Sequence, residues 1–259
     1  MPTIKEVKER LAMIDELDHP FFEELILDGR AGVQAAISKR KRELQKQVDE
    51  DLRLEKMLAY EKELYTQGIQ LIAGVDEVGR GPLAGPVTVA AVILPPHWFC
   101  RGLNDSKKVT PQHREEIAEK IKKEAVAYSI VSLPPEEIDA LNIYGATLTA
   151  MYRAIETLKV KAEAVIVDAM PLHLPVPVES MIHGDARSAS VAAASIIAKV
   201  HRDHIMDQYD KEYPGYGFAS NKGYGTAEHI EAIHCLGITP IHRKSFEPVK
   251  SMVMKSLVE

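Results

Sequence analysis

The sequence predicts an α/β domain of five strands with an all-helical segment in front of it. Three observations carry that expectation. Up to about Gln67 the apolar residues recur at helical spacing. From Ile69 onward, short apolar runs alternate with longer helical patterns. Three of those runs then stop at carboxylates: Asp76 with Glu77, Asp168, and Asp185. The Thr66-Gln67-Gly68 stretch marks the expected joint, giving a helical segment over residues 1–67 and an α/β domain over 68–259.

Composition narrows the class. The chain has 259 residues, is 46% hydrophobic and 27% charged, and carries a net charge of −6, which is ordinary globular composition. No apolar run reaches the ~18 residues of a membrane helix, so no membrane partner is expected. Residues 1–11 are already charged and helical in pattern, unlike a signal peptide. Cys100 and Cys235 are too few for a disulfide framework or a thiolate metal site, and the expected compartment is the reducing cytoplasm. The acidic total argues only weakly against a nucleic-acid partner, because local patches decide phosphate binding.

Taken in order, Ile4, Val7, Leu11 and Ile14 set a first helix, and His19-Pro20 breaks the chain where a second begins. Asp28-Gly29 punctuates again before one long helix over about 33–64. That helix carries Lys39-Arg40-Lys41-Arg42, which reads either as a solvated face or as a contact to a phosphate backbone. Residues 71–76 form the first strand, and the valine-rich 86–94 the second, stopped by Pro95-Pro96. The short spacing suits an antiparallel hairpin. Thr110-Pro111 caps a helix to about 123, residues 125–133 form a third strand, and a helix over 134–158 is expected to bend at Gly145. Residues 164–167 and 178–182 supply the fourth and fifth strands. The alanine- and serine-rich helix over 187–209 allows a neighbour to come close, a last helix covers 226–234, and the tail through Phe246 and Val249 is expected to pack back on the core.

The chemistry centres on Asp76-Glu77-Val78-Gly79-Arg80-Gly81. Adjacent carboxylates in an ideal strand face opposite ways, so joint action is expected to need a backbone rotation, for which the Gly79/Gly81 turn is a source. Buried anions need a positive partner: Arg80 or a bound metal. Asp76, Glu77, Asp168 and Asp185 together would repel one another, and hard divalent cations, Mg2+ or Mn2+, resolve that repulsion with oxygen ligands. Two such ions about 4 Å apart could activate a water and stabilise a leaving oxygen in phosphoryl transfer. Ser106 and Lys107 on a polar loop, Lys199 and Arg202 on the helix after Asp185, and Lys222 and Tyr224 in a glycine-aromatic loop suit a polyanionic substrate.

Several of these stretches, in this order, resemble ribonuclease HII: Asp76 through Pro82, Asn104-Asp105-Ser106-Lys107, Val167-Asp168, Gly184-Asp185, Ala192 through Val200, Lys222-Gly223-Tyr224-Gly225-Thr226 and His242-Arg243-Lys244-Ser245-Phe246. The resemblance covers about 69–249 and not the helical N-terminal segment. It implies a ribonuclease H-like fold, a mixed five-stranded sheet whose first three strands are antiparallel, flanked by helices. It implies that Asp76, Glu77, Asp168 and Asp185 are the catalytic metal-holding carboxylates. Gly79, Arg80 and Gly81 would be the loop that meets the ribose 2′-hydroxyl, and Tyr224 the tyrosine that senses the RNA–DNA junction. The implied substrates are RNA–DNA hybrids and duplex DNA carrying a ribonucleotide, cut on its 5′ side. A non-catalytic nucleic-acid-binding protein of the same fold is the alternative. The helical segment is open to contacts with DNA, another protein or its own core, and the sequence names no protein partner.

Overall fold

The computed structural model of the chain describes residues 1–256. Five segments are strands: β1 Ile72–Val78, β2 Val87–Ile93, β3 Ala127–Leu133, β4 Ala164–Asp168 and β5 Val178–Met181, the last a short Val-Glu-Ser-Met stretch with its middle residues exposed. They form one sheet in the order β3-β2-β1-β4-β5. β1, β2 and β3 pair antiparallel, and β4 and β5 run parallel to β1. This is the mixed sheet expected from the resemblance. Near-continuous burial of β1, β2 and β4 explains their unbroken apolar character, since a sheet covered on both faces needs no polar alternation.

Ten helices accompany the sheet among the described residues: α1 Ile4–Ala12, α2 Pro20–Glu24, α3 Ala31–Met57, α4 Ala59–Thr66, α5 Pro111–Glu124, α6 Pro135–Glu156, α7 Ala189–Glu212, α8 Phe218–Asn221, α9 Ala227–Leu236 and α10 Val249–Ser256. Local chemistry starts several of them. Thr3 and Glu6 form a reciprocal capping box at α1, and Thr110, Ser188 and Thr226 cap α5, α7 and α9 through their hydroxyls. α6 covers one face of the sheet, where Val75, Val89, Val167, Ala150 and Met151 share a core. α7 lies across β1 and β2 on the other face. It comes so close that a Cβ on Gly74 would stand 2.0 Å from the backbone carbon of Ser190. Glycine in β1 and the small residues Ala192, Ala193 and Ala194 in α7 make that approach sterically open.

Two expectations need correction. The long helix expected over 33–64 is broken at Leu58 (φ −90°, ψ 3°), which separates α3 from α4. The bend in α6 lies at Asn142 (φ 57°, ψ 167°), not Gly145. The Asn142 side chain accepts bonds from the backbone N–H groups of Tyr144 and Gly145, so an asparagine tolerant of left-handed φ both makes the break and caps the restart. The C-terminal tail forms a helix, α10, and its Val249 is buried beside Phe218, as the packing expectation had it.

The chain divides into two compact units, Met1–Lys56 and the chain from Met57 onward. The first has its own core of Val7, Leu11, Phe21, Phe22, Val33 and Leu44. Of the basic run, Arg40 is half-buried in it, while Lys39, Lys41 and Arg42 are exposed. Arg40 donates to the carbonyl of Ile14 through Nη2 (2.6 Å) and Nε (3.1 Å), Lys41 lies over the Phe22 ring, and Arg42 donates to the Ser38 carbonyl. Arg40→Ala removes the donors to a carbonyl in a folded corner, at an expected cost of about 1–3 kcal/mol. Urea unfolding of the full chain checks this, and an unchanged midpoint would release Arg40 from that role. In the second unit, Tyr60, Leu64 and Tyr65 of α4 pack against Ile72, Ile166, Met181 and Val191.

Candidate active site

Asp76 and Glu77 lie inside β1, not beyond it. They are still in register with Ala90 and Val89 of β2, and the strand runs on to Val78. No backbone rotation separates them, contrary to expectation. Asp76 is 5% exposed, and its Oδ1 accepts the Glu77 N–H at 2.8 Å. Its carboxyl also meets the Ser195 hydroxyl on α7. Burial, then the neighbouring Glu77 charge, holds its pKa well above the usual carboxylate range. Burial likewise raises Glu77, against the pull of Arg80, whose Nη1 lies 3.2 Å from Glu77 Oε1.

Asp168 ends β4, and its charge acts on Asp76, Glu77 and Asp185 alike. Its Oδ1 accepts the Gly184 N–H at 2.9 Å. That bond ties β4 to the short 3-10 turn Gly184–Ala186 that carries Asp185. Burial raises Asp185, and Asp105 and Asp168 add to it. The structure thus brings the four sequence-predicted carboxylates within electrostatic reach through the end of β4. It also adds Asp105, within hydrogen-bond reach of Asp185, which composition and spacing did not single out.

A second acidic residue that the sequence reading missed supports this arrangement from below. Glu61 of α4 is buried, and its Oε1 accepts from Ser188 Oγ (2.6 Å), Ser190 Oγ (2.7 Å) and Ser190 N–H (3.0 Å). It therefore pins the first turn of α7, directly after Asp185, with a negative charge at a helix N-terminus.

Two buried arginines shape the loops around the carboxylates. Arg243 donates to the carbonyls of Gly79 (2.6 Å), Arg80 (2.9 Å) and Gly85 (2.9 Å). Arg202 donates to Pro86 (2.9 Å), Lys222 (2.9 Å) and Ala84 (3.2 Å). Arg202 is fully buried, so the expectation that it serves a polyanionic substrate is corrected: its fork is spent on backbone carbonyls. Gly79, at φ +90°, is where that packing is tightest, since a Cβ there would stand 2.2 Å from Arg202 Nε. Arg80 and Gly81 stay exposed, and a Cβ on Gly81 would touch the Tyr224 ring at 3.6 Å. Tyr224 is 45% exposed.

The remaining predicted contacts divide. Lys107 is exposed, and its charge acts on Asp185. Ser106 is buried, its hydroxyl 3.0 Å from Ser195 Oγ and its carbonyl held by Arg114, so the side chain is not presented to a ligand. Lys199 is paired with Asp203 at 2.6 Å and Lys222 with Asp207.

The donor set fits a hard divalent cation. Among the described residues Glu77 Oε2 and Glu61 Oε2 are buried with no hydrogen-bond donor, and the one on Glu77, beside Asp76, is an oxygen that a cation would satisfy. No three His, Cys, Asp or Glu side chains among the described residues stand as a ready-made cation cage.

The mixed five-stranded sheet flanked by helices is a fold of the ribonuclease H-like class, with carboxylates on β1, at the end of β4 and in the turn after β5. The match to known proteins is narrower: a family model described as Ribonuclease HII covers residues 73–249, and one described as Ribonuclease HII N-terminal domain covers 3–65. The chain belongs to the ribonuclease HII family. Among solved structures it is similar to the ribonuclease H2 from Pyrococcus horikoshii OT3, at 26% identity and a TM-score of 0.64, over 73% of this chain and 99% of that one. It is also similar to the ribonuclease HII of a PCNA complex from Archaeoglobus fulgidus, at 28% identity and a TM-score of 0.58, over 68% and 95% of the two chains. Bst-RNase HIII in complex with Mn2+, at 19% identity and a TM-score of 0.54 over 73% and 71%, shares the fold. The activity is that of a ribonuclease H, a nuclease and hydrolase. This leaves the non-catalytic alternative without support. No helix among the described residues is long and apolar enough to cross a membrane.

Proposed function

We propose that the chain hydrolyses the RNA strand of RNA–DNA hybrids and cuts duplex DNA on the 5′ side of an embedded ribonucleotide. The observation that carries this reading is the nearness of the Tyr224 ring to Gly81, 3.6 Å from where a Cβ would stand, in a loop that continues directly from the β1 carboxylates. A ribonucleotide differs from its neighbours by a 2′-hydroxyl, both donor and acceptor. The exposed Arg80-Gly81 backbone has groups to bond it, and without a Cβ Gly81 admits a sugar closely. The Tyr224 ring, on the far side of Gly81, then meets the next sugar and favours deoxyribose there.

In this reading Asp76, Glu77, Asp168 and Asp185 hold Mg2+ or Mn2+, two ions during catalysis. Bound cations of this kind stabilise charge on the phosphate oxygens and favour deprotonation of water. The chain's own residues set the geometry. Asp168 fixes the Asp185 turn through Gly184, Arg80 steadies Glu77, and Lys107 offers positive charge to a phosphate. Lys199 and Lys222 contribute as members of ion pairs that hold the α7 face and the Tyr224 loop.

The test is cleavage of a DNA duplex carrying one ribonucleotide beside a long RNA–DNA hybrid, with Mg2+ and Mn2+ compared. Cutting 5′ of the lone ribonucleotide supports the reading, and cleavage confined to the hybrid overturns its junction half. Tyr224→Ala is expected to slow cutting at the lone ribonucleotide about ten- to a hundredfold, from the roughly 1–3 kcal/mol of a stacking contact. Cleavage inside long RNA tracts should fall less. Proportional loss of both activities together with a lowered Tm would make Tyr224 a turn anchor instead.

A further inference from the structure

Behind Tyr224 lies a buried pair of histidines that the reaction itself does not use. His229 on α9 and His242 after it are 0% and 1% exposed, and their Nε2 atoms stand 3.1 Å apart. Tyr216 and Phe218 pack around both rings. Each ring has a second partner through Nδ1. His229 Nδ1 lies 2.8 Å from the carbonyl oxygen of Tyr224. His242 Nδ1 lies 2.9 Å from the backbone nitrogen of Thr239 and 2.8 Å from its hydroxyl.

These partners fix where the protons are. A carbonyl oxygen only accepts, so His229 Nδ1 must carry hydrogen. A backbone N–H only donates, so His242 Nδ1 must be bare. The facing Nε2 atoms then need one hydrogen between them. In neutral rings the only consistent arrangement puts it on His242, donating to a bare His229 Nε2. Burial favours neutrality for both: it lowers His229 below the usual histidine range and takes His242 down to about 4. The bonds therefore run in one direction, from Thr239 through His242 and His229 to the carbonyl of Tyr224.

We propose that His242 and His229 are positioning residues for junction recognition, a relay of fixed tautomers that sets the backbone of Tyr224 and so the seat of its ring against Gly81. The proposal rests on the junction role of Tyr224 given under Proposed function. Tyr224 sits between glycines, and its ring is 45% exposed. Its carbonyl is held by His229 and by the Thr226 N–H at 2.8 Å, and its N–H by the Asn221 carbonyl at 2.9 Å. Neither histidine touches the carboxylates, so the relay acts on which sugar step is accepted rather than on hydrolysis.

Two measurements on the full chain test it. The first is the two-bond 1H–15N spectrum of 15N-histidine-labelled protein at neutral pH. The expected result is His229 protonated at Nδ1 and His242 protonated at Nε2. His229 protonated at Nε2, or either ring cationic, overturns the relay. The second is the ratio of lone-ribonucleotide cutting to long-hybrid cutting. His229→Leu removes the donor and is expected to lower that ratio about fivefold, the rate equivalent of one hydrogen bond. His229→Asn places an amide donor where Nδ1 stood and is expected to restore most of it. Loss of both activities in equal proportion in His229→Leu, unrelieved in His229→Asn, overturns the proposal in favour of simple packing. Tyr224→Ala separates the two layers of the argument. If it leaves the ratio unchanged, the junction reading itself falls. If it lowers the ratio while His229→Leu does not, the relay alone falls.

Discussion

Asp76→Asn is expected to abolish cleavage while leaving the fold intact. Asp76 lies deepest of the carboxylates, meeting Ser195 of α7 from a strand still paired with β2 at that point. An amide has the same shape and can still accept the Glu77 N–H that Asp76 Oδ1 now accepts. What it loses is the negative charge that makes a carboxylate a stronger ligand than an amide for a hard cation. Cation stabilisation of a phosphoryl-transfer transition state is worth several kcal/mol, and at 1.36 kcal/mol per tenfold about 4 kcal/mol is roughly a thousandfold in rate. The same change removes a buried charge pressed by Glu77 and Asp168, so melting in the presence of a chelator should be unchanged or higher. Cleavage near the unsubstituted rate would remove Asp76 from the site, and a lowered Tm in chelator would show that the charge supports the fold.

Gly74→Ala should instead remove the fold and take the activity with it. The added methyl would stand 2.0 Å from the backbone carbon of Ser190, 2.3 Å from its oxygen and 2.3 Å from the nitrogen of Val191. These are helix backbone atoms, and no rotamer change relieves the clash. Either α7 lifts from β1 or the central strand moves, and α7 carries the Ser195 that meets Asp76. Inserting one methylene into a close-packed core costs about 1–3 kcal/mol where neighbours can adjust. Here they cannot, and a loss of about 4 kcal/mol or more is expected. Denaturant unfolding reads this directly. A midpoint within experimental error of the unsubstituted chain would show that α7 slides freely over β1.

Local features made much of this protein legible before its structure. Most of the strands announce themselves as short apolar runs closed by proline, glycine or acid, and strand ends need only neighbouring residues to be recognised. The carboxylates Asp76, Glu77, Asp168 and Asp185 are visible for the same reason. What sequence did not show depends on pairings across long separations. Arg202 on an alanine-rich helix looks like a solvent-facing cation, and only the carbonyls of Pro86, Ala84 and Lys222 make it a core residue. Glu61 reads as one more charge on a helical segment until Ser188 and Ser190, far along the chain, arrive against it. Asp105 gains its neighbour only when its loop reaches the turn of Asp185. The bend at Asn142 was misplaced because glycine is the more familiar helix breaker, whereas an asparagine able to cap the following turn is equally suited to the task.

The grip of Arg202 and Arg243 also bears on how such a site can change over generations. Their six bonds go to carbonyl oxygens of residues 79, 80, 84, 85, 86 and 222, and every amino acid brings a carbonyl oxygen. The path of the loops is thereby uncoupled from most of the side chains they carry. A mutation at the exposed Arg80 alters the side chain at the surface without redrawing the backbone that carries it. The two arginines themselves have no such latitude, because a lysine cannot span three divergent acceptors with a planar fork. Exposed side chains on these loops can therefore change, by drift or by design, one at a time on a course that two interior residues keep fixed.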